Sequence, residues 1–443
     1  MKRYFYILFL PALLLIVGCH KEKEEEKLPK QHYRRTVVVY MAMQNSLGAY
    51  GHHRIDSMEI VNGMEYIPEN DRMLLFIDDA SKPRIYELSQ KLAHTDEKTG
   101  LPYGPKLLKK WREDRNSASA EMLKEVLRYA RENYDSDEYG LVMGSHATGW
   151  LPKGNVSEGA SAKRGPRRTF GVDVGPEGSM RDDEGVGGSK ADEIELGDLV
   201  TAIKDSGIHP EYILFDACLM QSVEVDYSMR DVTDYIIASP ISISSEGAYY
   251  TDLMNKGLFT ADPIDVARAY ADYYLGQGSI PYKDVYGTVI SCVRTSAMED
   301  LAATVQQLLR ELVPADDATQ RLELLKAHRM NGAFYYHPYS ERYYWRPHHY
   351  DLVSAFQRLE ASAEQMERLY AALDRVVVYK AATSSFWIGP SYITFKYIPT
   401  NENEWCGVSM FVPQQTYTSN ASICVFGDLN ERYKATDWFK RVY

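Results

Sequence analysis

The sequence predicts an α/β fold in which a mainly parallel sheet is covered by helices on both faces. Two observations carry this expectation. Apolar runs such as Thr36-Val37-Val38-Val39-Tyr40-Met41 are continuous rather than alternating, as in strands buried on both faces. Segments with helical apolar spacing stand between such runs, and strands alternating with helices imply parallel pairing. A third observation points toward use. Residues 139–150 (YGLVMGSHATGW) and 211–220 (EYILFDACLM) each begin as an apolar strand and break into small polar residues. The first break carries His146 and the second Cys218. Ligands bind just beyond the carboxyl ends of strands in open parallel sheets, so these side chains can meet although 72 positions separate them.

The elements follow in order. Lys2 and Arg3 precede an apolar run from Tyr4 to Val17 that is too short to span a membrane comfortably. It closes on Ile16-Val17-Gly18-Cys19, which resembles the lipobox of bacterial lipoprotein signal peptides. That resemblance implies a signal peptide over 1–19 and a lipid on Cys19. Residues 20–35 read as a charged tether, and the acidic run within them resembles the export signal of surface lipoproteins in Bacteroidetes-type bacteria. The expected location is the bacterial envelope, at the outer membrane or cell surface. The folded domain is expected over 36–443.

Its second strand is Met73 to Ile77, followed by Asp78 and Asp79. Ser117 or Ser119 can cap a helix with Ala120, Leu123, Val126, Leu127, Ala130 and Tyr134 on its apolar face. A second helix spans 196–206, with Leu196, Leu199, Val200 and Ile203 inward, and stops at Gly207. Further strands are expected at Tyr235 to Ser239, Tyr286 to Cys292 and Cys406 to Val412. Residues 297–380 are helix-rich, and the Tyr-rich stretch 335–350 reads as a surface loop. Between the His146 and Cys218 segments lies an irregular stretch, 151–191, rich in Gly and charge, with Phe170-Gly171-Val172-Asp173 as a short docked piece.

The formal charge of −12, with no dominant basic stretch, argues against nucleic acid as a partner. Five cysteines fit no dense disulfide framework; Cys292, Cys406 and Cys424 are expected mainly as buried free thiols. His52-His53 and His348-His349 lack further ligands at metal spacing and read as surface histidines. No G-x-S-x-G elbow, C-G-S-C-W segment or phosphate loop is present. What remains is a cysteine and a histidine in matched strand-end settings. A thiolate nucleophile needs an imidazole and a low-pKa setting, not proximity in sequence.

SHATGW around His146 and DACLM around Cys218 resemble the clostripain family of cysteine peptidases, relatives of caspases, legumains and gingipains. IIASPISISSEG (236–247) and CGVSMFVP (406–413) resemble its downstream segments. The resemblance implies a caspase-like three-layer sandwich, Cys218 as nucleophile and His146 as acid–base. It also implies an oxyanion site from the backbone N–H groups of Ala147 and Cys218. Ala147 stands where many relatives carry Gly. Cleavage after Arg or Lys is implied too, with Asp216 and, second, Glu246 as the carboxylates that bind the basic side chain. No cofactor is required. Calcium remains open because some relatives need it, with Asp78-Asp79 as an acidic pair that could take it.

The expected partners are peptides or proteins with Arg or Lys before the cleaved bond, and the membrane through Cys19. An enzyme of this kind would find its own consensus between His146 and Cys218. Processing is therefore expected at Lys163, Arg164, Arg167, Arg168, Arg181 or Lys190. The competing reading is a catalytically silent surface lipoprotein of the same fold that binds protein or glycan. The presence of both His146 and Cys218 favours the enzyme.

Overall fold

Nine strands form the central sheet of the computed structural model, which describes residues 31–49, 51–79, 82–93, 104–151, 170–175, 192–281, 286–341, 344–388, 395–415 and 428–443. In chain order these nine, with four strands of smaller sheets, are β1 (His32–Ala42), β2 (Asp71–Asp78), β3 (Arg84–Leu88), β4 (Lys106–Lys110), β5 (Asp135–Gly144), β6 (Phe170–Asp173) and β7 (Asp192–Ile194). They continue with β8 (Tyr212–Asp216), β9 (Tyr235–Ala238), β10 (Val289–Arg294), β11 (Tyr335–Glu341), β12 (Tyr344–Asp351) and β13 (Val377–Ala382); β6, β7, β11 and β12 belong to the smaller sheets. The sheet order is β13-β10-β9-β8-β5-β1-β2-β3-β4. Its five middle strands, β9-β8-β5-β1-β2, pair in parallel, and antiparallel strands flank them on both sides.

Burial follows the continuous apolar pattern. Val38 and Tyr40 of β1 point into one core with Leu141, Met143, Ile213 and Phe215. Val37, Val39 and Met41 point into the other with Val142, Tyr212 and Leu214. The first core is roofed by the helices Ala120–Asn133, Leu196–Ser206, Met298–Leu312 and Ala363–Val376. The second is roofed by His52–Asn62, Tyr250–Lys256 and Ile264–Tyr274. Ser119, rather than Ser117, caps the first of these helices by accepting the Met122 N–H at 3.2 Å. Its stripe of Met122, Leu123, Val126, Leu127 and Ala130 is buried, and each large side chain contributes about 1.5–3 kcal/mol.

Several boundaries differ from expectation. β1 begins at His32, inside the expected tether, because Arg34 and Arg35 have partners there: Arg34 pairs with Asp71, and Arg35 with Glu138 and Glu211. The expected strand 406–412 shortens to the pair Ser409–Met410. The Tyr-rich stretch is no surface loop. It forms the β11–β12 hairpin, with Tyr336, His348, His349 and Tyr350 buried. Asp78 is fully buried rather than solvated, whereas Asp79 pairs with Arg84 at 2.9 Å. The expected docked piece is β6, paired with β7. The signal peptide, Cys19, Cys424 and the six processing candidates lie outside the described residues. No described helix is long and apolar enough to cross a membrane.

Candidate active site

β5 and β8 are neighbours in parallel register, with Gly144 opposite Asp216. His146 lies two residues beyond the first strand and Cys218 two beyond the second, so both leave the sheet side by side at its carboxyl edge. The two loops then touch backbone to backbone. Gly149 has a φ of +70°, and a Cβ built there would stand 2.4 Å from the Leu219 carbonyl oxygen. Only glycine accepts both conditions.

Leu219, directly after Cys218, also has positive φ (62°), an unfavourable region for a branched side chain. Surrounding bonds hold it there. Its N–H donates to the Ile241 carbonyl at 2.9 Å, and the Gln221 N–H to Ser239 at 3.1 Å. The Ser409 N–H and hydroxyl both donate to the Gln221 carbonyl, at 3.1 and 3.0 Å. Cys218 is partly exposed, whereas Cys292 and Cys406 are buried free thiols whose pKa values burial pushes up. Buried, high-pKa thiols are inert, so among the described cysteines Cys218 is the one suited to react.

His146 is partly buried. Its Nε2 stands 2.9 Å from the Ser46 hydroxyl, and its carbonyl accepts the Gly171 N–H of β6 at 2.8 Å. Ala147 is not among the described non-glycine residues with positive φ, so alanine imposes no strain at this position.

Asp216, at the end of β8, accepts the Ala248 N–H at 3.1 and 3.2 Å and the Tyr250 hydroxyl at 3.0 Å. Burial raises its pKa to about 6 against these stabilising bonds. Gly247 packs on the carboxylate: a Cβ there would lie 2.7 Å from Oδ2, at a φ of +58°. Two further acids face it from the helix His52–Asn62. Asp56 is pushed up to about 9 by burial, then by Asp216 and Glu59. Glu59 rises to about 7, mainly by burial, although it accepts the Tyr250 N–H at 2.9 Å. Glu246 is exposed and accepts the Tyr273 hydroxyl at 2.8 Å.

Sequence reasoning missed Ser46, Asp56, Glu59 and His337. Ser46 had a readable signal: Gln44-Asn45-Ser46 follows β1 as polar residues after an apolar run, the pattern that singled out His146. The acids had none, since two carboxylates three residues apart on a helix are more often solvated. His348 and His349, expected at the surface, are buried beside His337, with ring centroids 4.6–6.4 Å apart. His349 backs onto Gly149, and its Nδ1 faces the Ser409 hydroxyl at 3.4 Å. Among the described residues no three His, Cys, Asp or Glu side chains are placed to hold a metal ion.

The sequence model of the clostripain family, the C11 peptidases, matches residues 39–164 and 183–442. The chain belongs to the clostripain family of cysteine peptidases. Clostripain of Hathewaya histolytica is 24% identical over 184 residues, which are 40% of this chain and 31% of that protein. The match thus spans about a third of that relative's length. An inactive zymogen C11 protease from Parabacteroides distasonis is similar in structure, with a TM-score of 0.68 and 27% identity over 94% of this chain and 99% of the other. A secreted C11 cysteine protease from Bacteroides thetaiotaomicron, solved with an irreversible peptide inhibitor, has a TM-score of 0.68 and 24% identity over 92% of this chain and 98% of the other. The observed architecture is the caspase-like sandwich of this clostripain group, with its sheet mainly parallel and flanked by helices.

Proposed function

We propose that this protein is an endopeptidase that cleaves after Arg or Lys, with Cys218 as nucleophile and His146 as acid–base. The observation that carries the reading is the pair of matched exits from adjacent parallel strands, one bearing a partly exposed thiol and the other an imidazole. In the proposed reaction Cys218 gives its proton to His146, and the thiolate attacks the scissile carbonyl. The N–H groups of Ala147 and Cys218 receive the oxyanion, while that of Leu219 is already bonded to Ile241. His146 then protonates the leaving amine and later deprotonates the water that opens the thioester. This chemistry is assigned to the chain alone.

The basic preference is assigned to Asp216, with Glu246 at the rim. Supporting it, the groups that raise Asp56 and Glu59 beyond burial are carboxylates, Asp216 among them, so an entering guanidinium or ammonium relieves their repulsion. Replacing Cys218 or His146 by Ala is expected to remove nearly all cleavage of an arginyl peptide while thermal unfolding stays cooperative. Single replacement of Cys292, Cys406 or Cys424 is expected to retain activity. Arginyl hydrolysis at wild-type rate by the Cys218→Ala protein would sink the mechanism.

The chain is further proposed to be made as a zymogen and cut at Lys163, Arg164, Arg167, Arg168, Arg181 or Lys190. The Parabacteroides distasonis relative, described as an inactive zymogen, supports this. Cys218→Ala protein should remain one chain, while active protein should give two denatured bands that co-purify, since β5 and β8 belong to one sheet. Anchoring through a lipid on Cys19 at the outer membrane or cell surface is checked by mass measurement of the mature N-terminus. For calcium, Asp78 of the Asp78-Asp79 pair keeps both oxygens buried without a hydrogen-bond partner, whereas Asp79 is engaged by Arg84. Such hard oxygen ligands, completed by water, suit Ca²⁺. A rise in unfolding temperature with calcium, absent in Asp78→Asn, would support it.

A further inference from the structure

A catalytic imidazole works only if one ring nitrogen is kept for the reaction and the other is held elsewhere. The Ser46 hydroxyl, 2.9 Å from His146 Nε2, is placed to do that holding. Ser46 is 3% exposed and sits just past the end of β1, so it reaches His146 from the strand that pairs with β5 on the side away from β8.

What fixes Ser46 is the fully buried Asn45 before it. The Asn45 amide donates from Nδ2 to the carbonyls of Ala42 (2.8 Å) and Val172 (3.0 Å), lies 3.3 Å from the Ser145 hydroxyl, and accepts the Leu47 N–H at 3.0 Å. One side chain therefore joins the exits of β1 and β5 to β6. Two backbone bonds complete the clamp, from the Met43 N–H to the Asp78 carbonyl at 2.7 Å and from the Val174 N–H to the Gln44 carbonyl at 3.1 Å. A segment tied at both ends and through its middle holds its next side chain in place.

We propose that Ser46 is a positioning residue for His146. Its oxygen accepts the Nε2–H and so keeps the lone pair on Nδ1, the nitrogen that exchanges protons with Cys218 and the leaving amine. The inference rests on the cysteine–histidine reading above. Protons balance through the cycle. Nδ1 takes the thiol proton while sulfur keeps the electron pair, then returns a proton to the leaving amine, and Nε2 keeps its hydrogen throughout. A neutral hydroxyl orients the ring without adding the charge that a carboxylate would. The imidazolium is therefore not over-stabilised and remains a usable acid.

The test uses the full chain and an arginyl peptide substrate. Ser46→Ala should lower kcat on the order of 10- to 100-fold with KM nearly unchanged, since a loosened ring misplaces the proton rather than the substrate. Ser46→Thr, which restores a hydroxyl, should recover most of the rate. Ser46→Asp should shift the acid limb of Cys218 alkylation by iodoacetamide to higher pH, because a carboxylate favours the imidazolium. Nitrogen-15 NMR of the neutral His146 ring should show the proton on Nε2 in wild type and a mixture of tautomers in Ser46→Ala. A wild-type kcat in folded Ser46→Ala, or a neutral ring protonated on Nδ1 in wild type, would overturn the proposal. The His146→Ala variant separates the two readings. If it is active, the catalytic assignment itself fails; if it is inactive while Ser46→Ala is fully active, only Ser46 is excluded.

Discussion

Asp216 and Asp78 occupy the same kind of place and have different fates. Each is the last residue of a parallel strand, β8 and β2, at the carboxyl edge of the sheet. Asp216 is met by the Ala248 N–H and the Tyr250 hydroxyl, and its pKa rises only to about 6. Asp78 has no donor on either oxygen; the nearby Ser117 hydroxyl gives its single hydrogen to Asp173, at 3.0 Å. Burial, with the charge of Asp173 adding to it, pushes Asp78 to about 8. At neutral pH Asp216 is thus a carboxylate and Asp78 a carboxylic acid. What separates them is the supply of N–H and O–H donors at Asp216 and the neighbouring acids, Asp173 first, at Asp78. A desolvated acid stays ionised near neutrality only where donors stabilise its charged form.

The largest expected effect tests the contact that joins the His146 and Cys218 loops. Gly149→Ala sets a Cβ against the Leu219 carbonyl at a positive φ, and should abolish cleavage and lower stability by about 1–3 kcal/mol. Full activity in that variant would mean that the loops do not meet as described.

Next in size is Asp216→Asn. It should weaken kcat/KM for arginyl substrates by about 2–5 kcal/mol, much of it from leaving the substrate's charge unpaired. Thermal stability should hardly fall. Asp78→Asn should leave kcat/KM within about twofold, because in the apo protein that group is already neutral at pH 7. Equal losses in the two variants would erase the distinction.

The third effect is on pH. Below about 6 the Asp216 carboxylate takes up a proton, so kcat/KM for arginyl substrates should fall about tenfold per pH unit, more steeply than for a neutral residue at the same position. The stability sign runs the other way. Asp78 has a folded pKa of about 8, above its unfolded value near 3.8, so the folded chain holds a proton that the unfolded chain loses. Stability therefore falls as pH rises through that window, on the order of 1.4 kcal/mol per unit. Denaturant titrations in chelator at pH 5 and 8 should show this slope reduced in Asp78→Asn, with the variant the more stable at pH 8. A slope identical to wild type would mean that Asp78 is ionised in the fold.

The buried imidazoles supply the smallest test of activity near neutrality. Burial lowers His337 to about 3 and holds His349 well below the usual imidazole value, so both stay neutral in the fold while the unfolded chain protonates them below about 6.5. Their contribution to stability is present above 6.5 and lost as pH falls. His349→Gln should leave activity at pH 7.5 nearly unchanged and make acid unfolding less steep. Unaltered steepness would remove His349 from that role.

Residue patterns alone were enough for the parallel sheet, the two main helices, the docked strand β6 and the two strand-end breaks that carry His146 and Cys218. Each depends on interactions local to one element: burial on two faces, a cap, or an apolar run ending in small polar residues. The strand edges were less legible. Arg34 and Arg35 looked like tether until Asp71, Glu138 and Glu211 drew them into β1. His348 and His349 looked exposed because nothing within their own segment covers them. The β11–β12 hairpin buries both, and sets His349 against Gly149, in the loop after His146, and against Ser409. Asp78 and Asp216 are both strand-end acids in sequence. Which one is ionised depends on donors at positions 248 and 250, and on a hydrogen that Ser117 spends elsewhere. Sequence by itself determined the strands, the helices and the two strand-end breaks that carry His146 and Cys218, because strand, helix and break are written in neighbouring side chains. Only the tertiary structure decided their protonation and orientation, because desolvation and hydrogen-bond supply are set by residues brought together from across the chain.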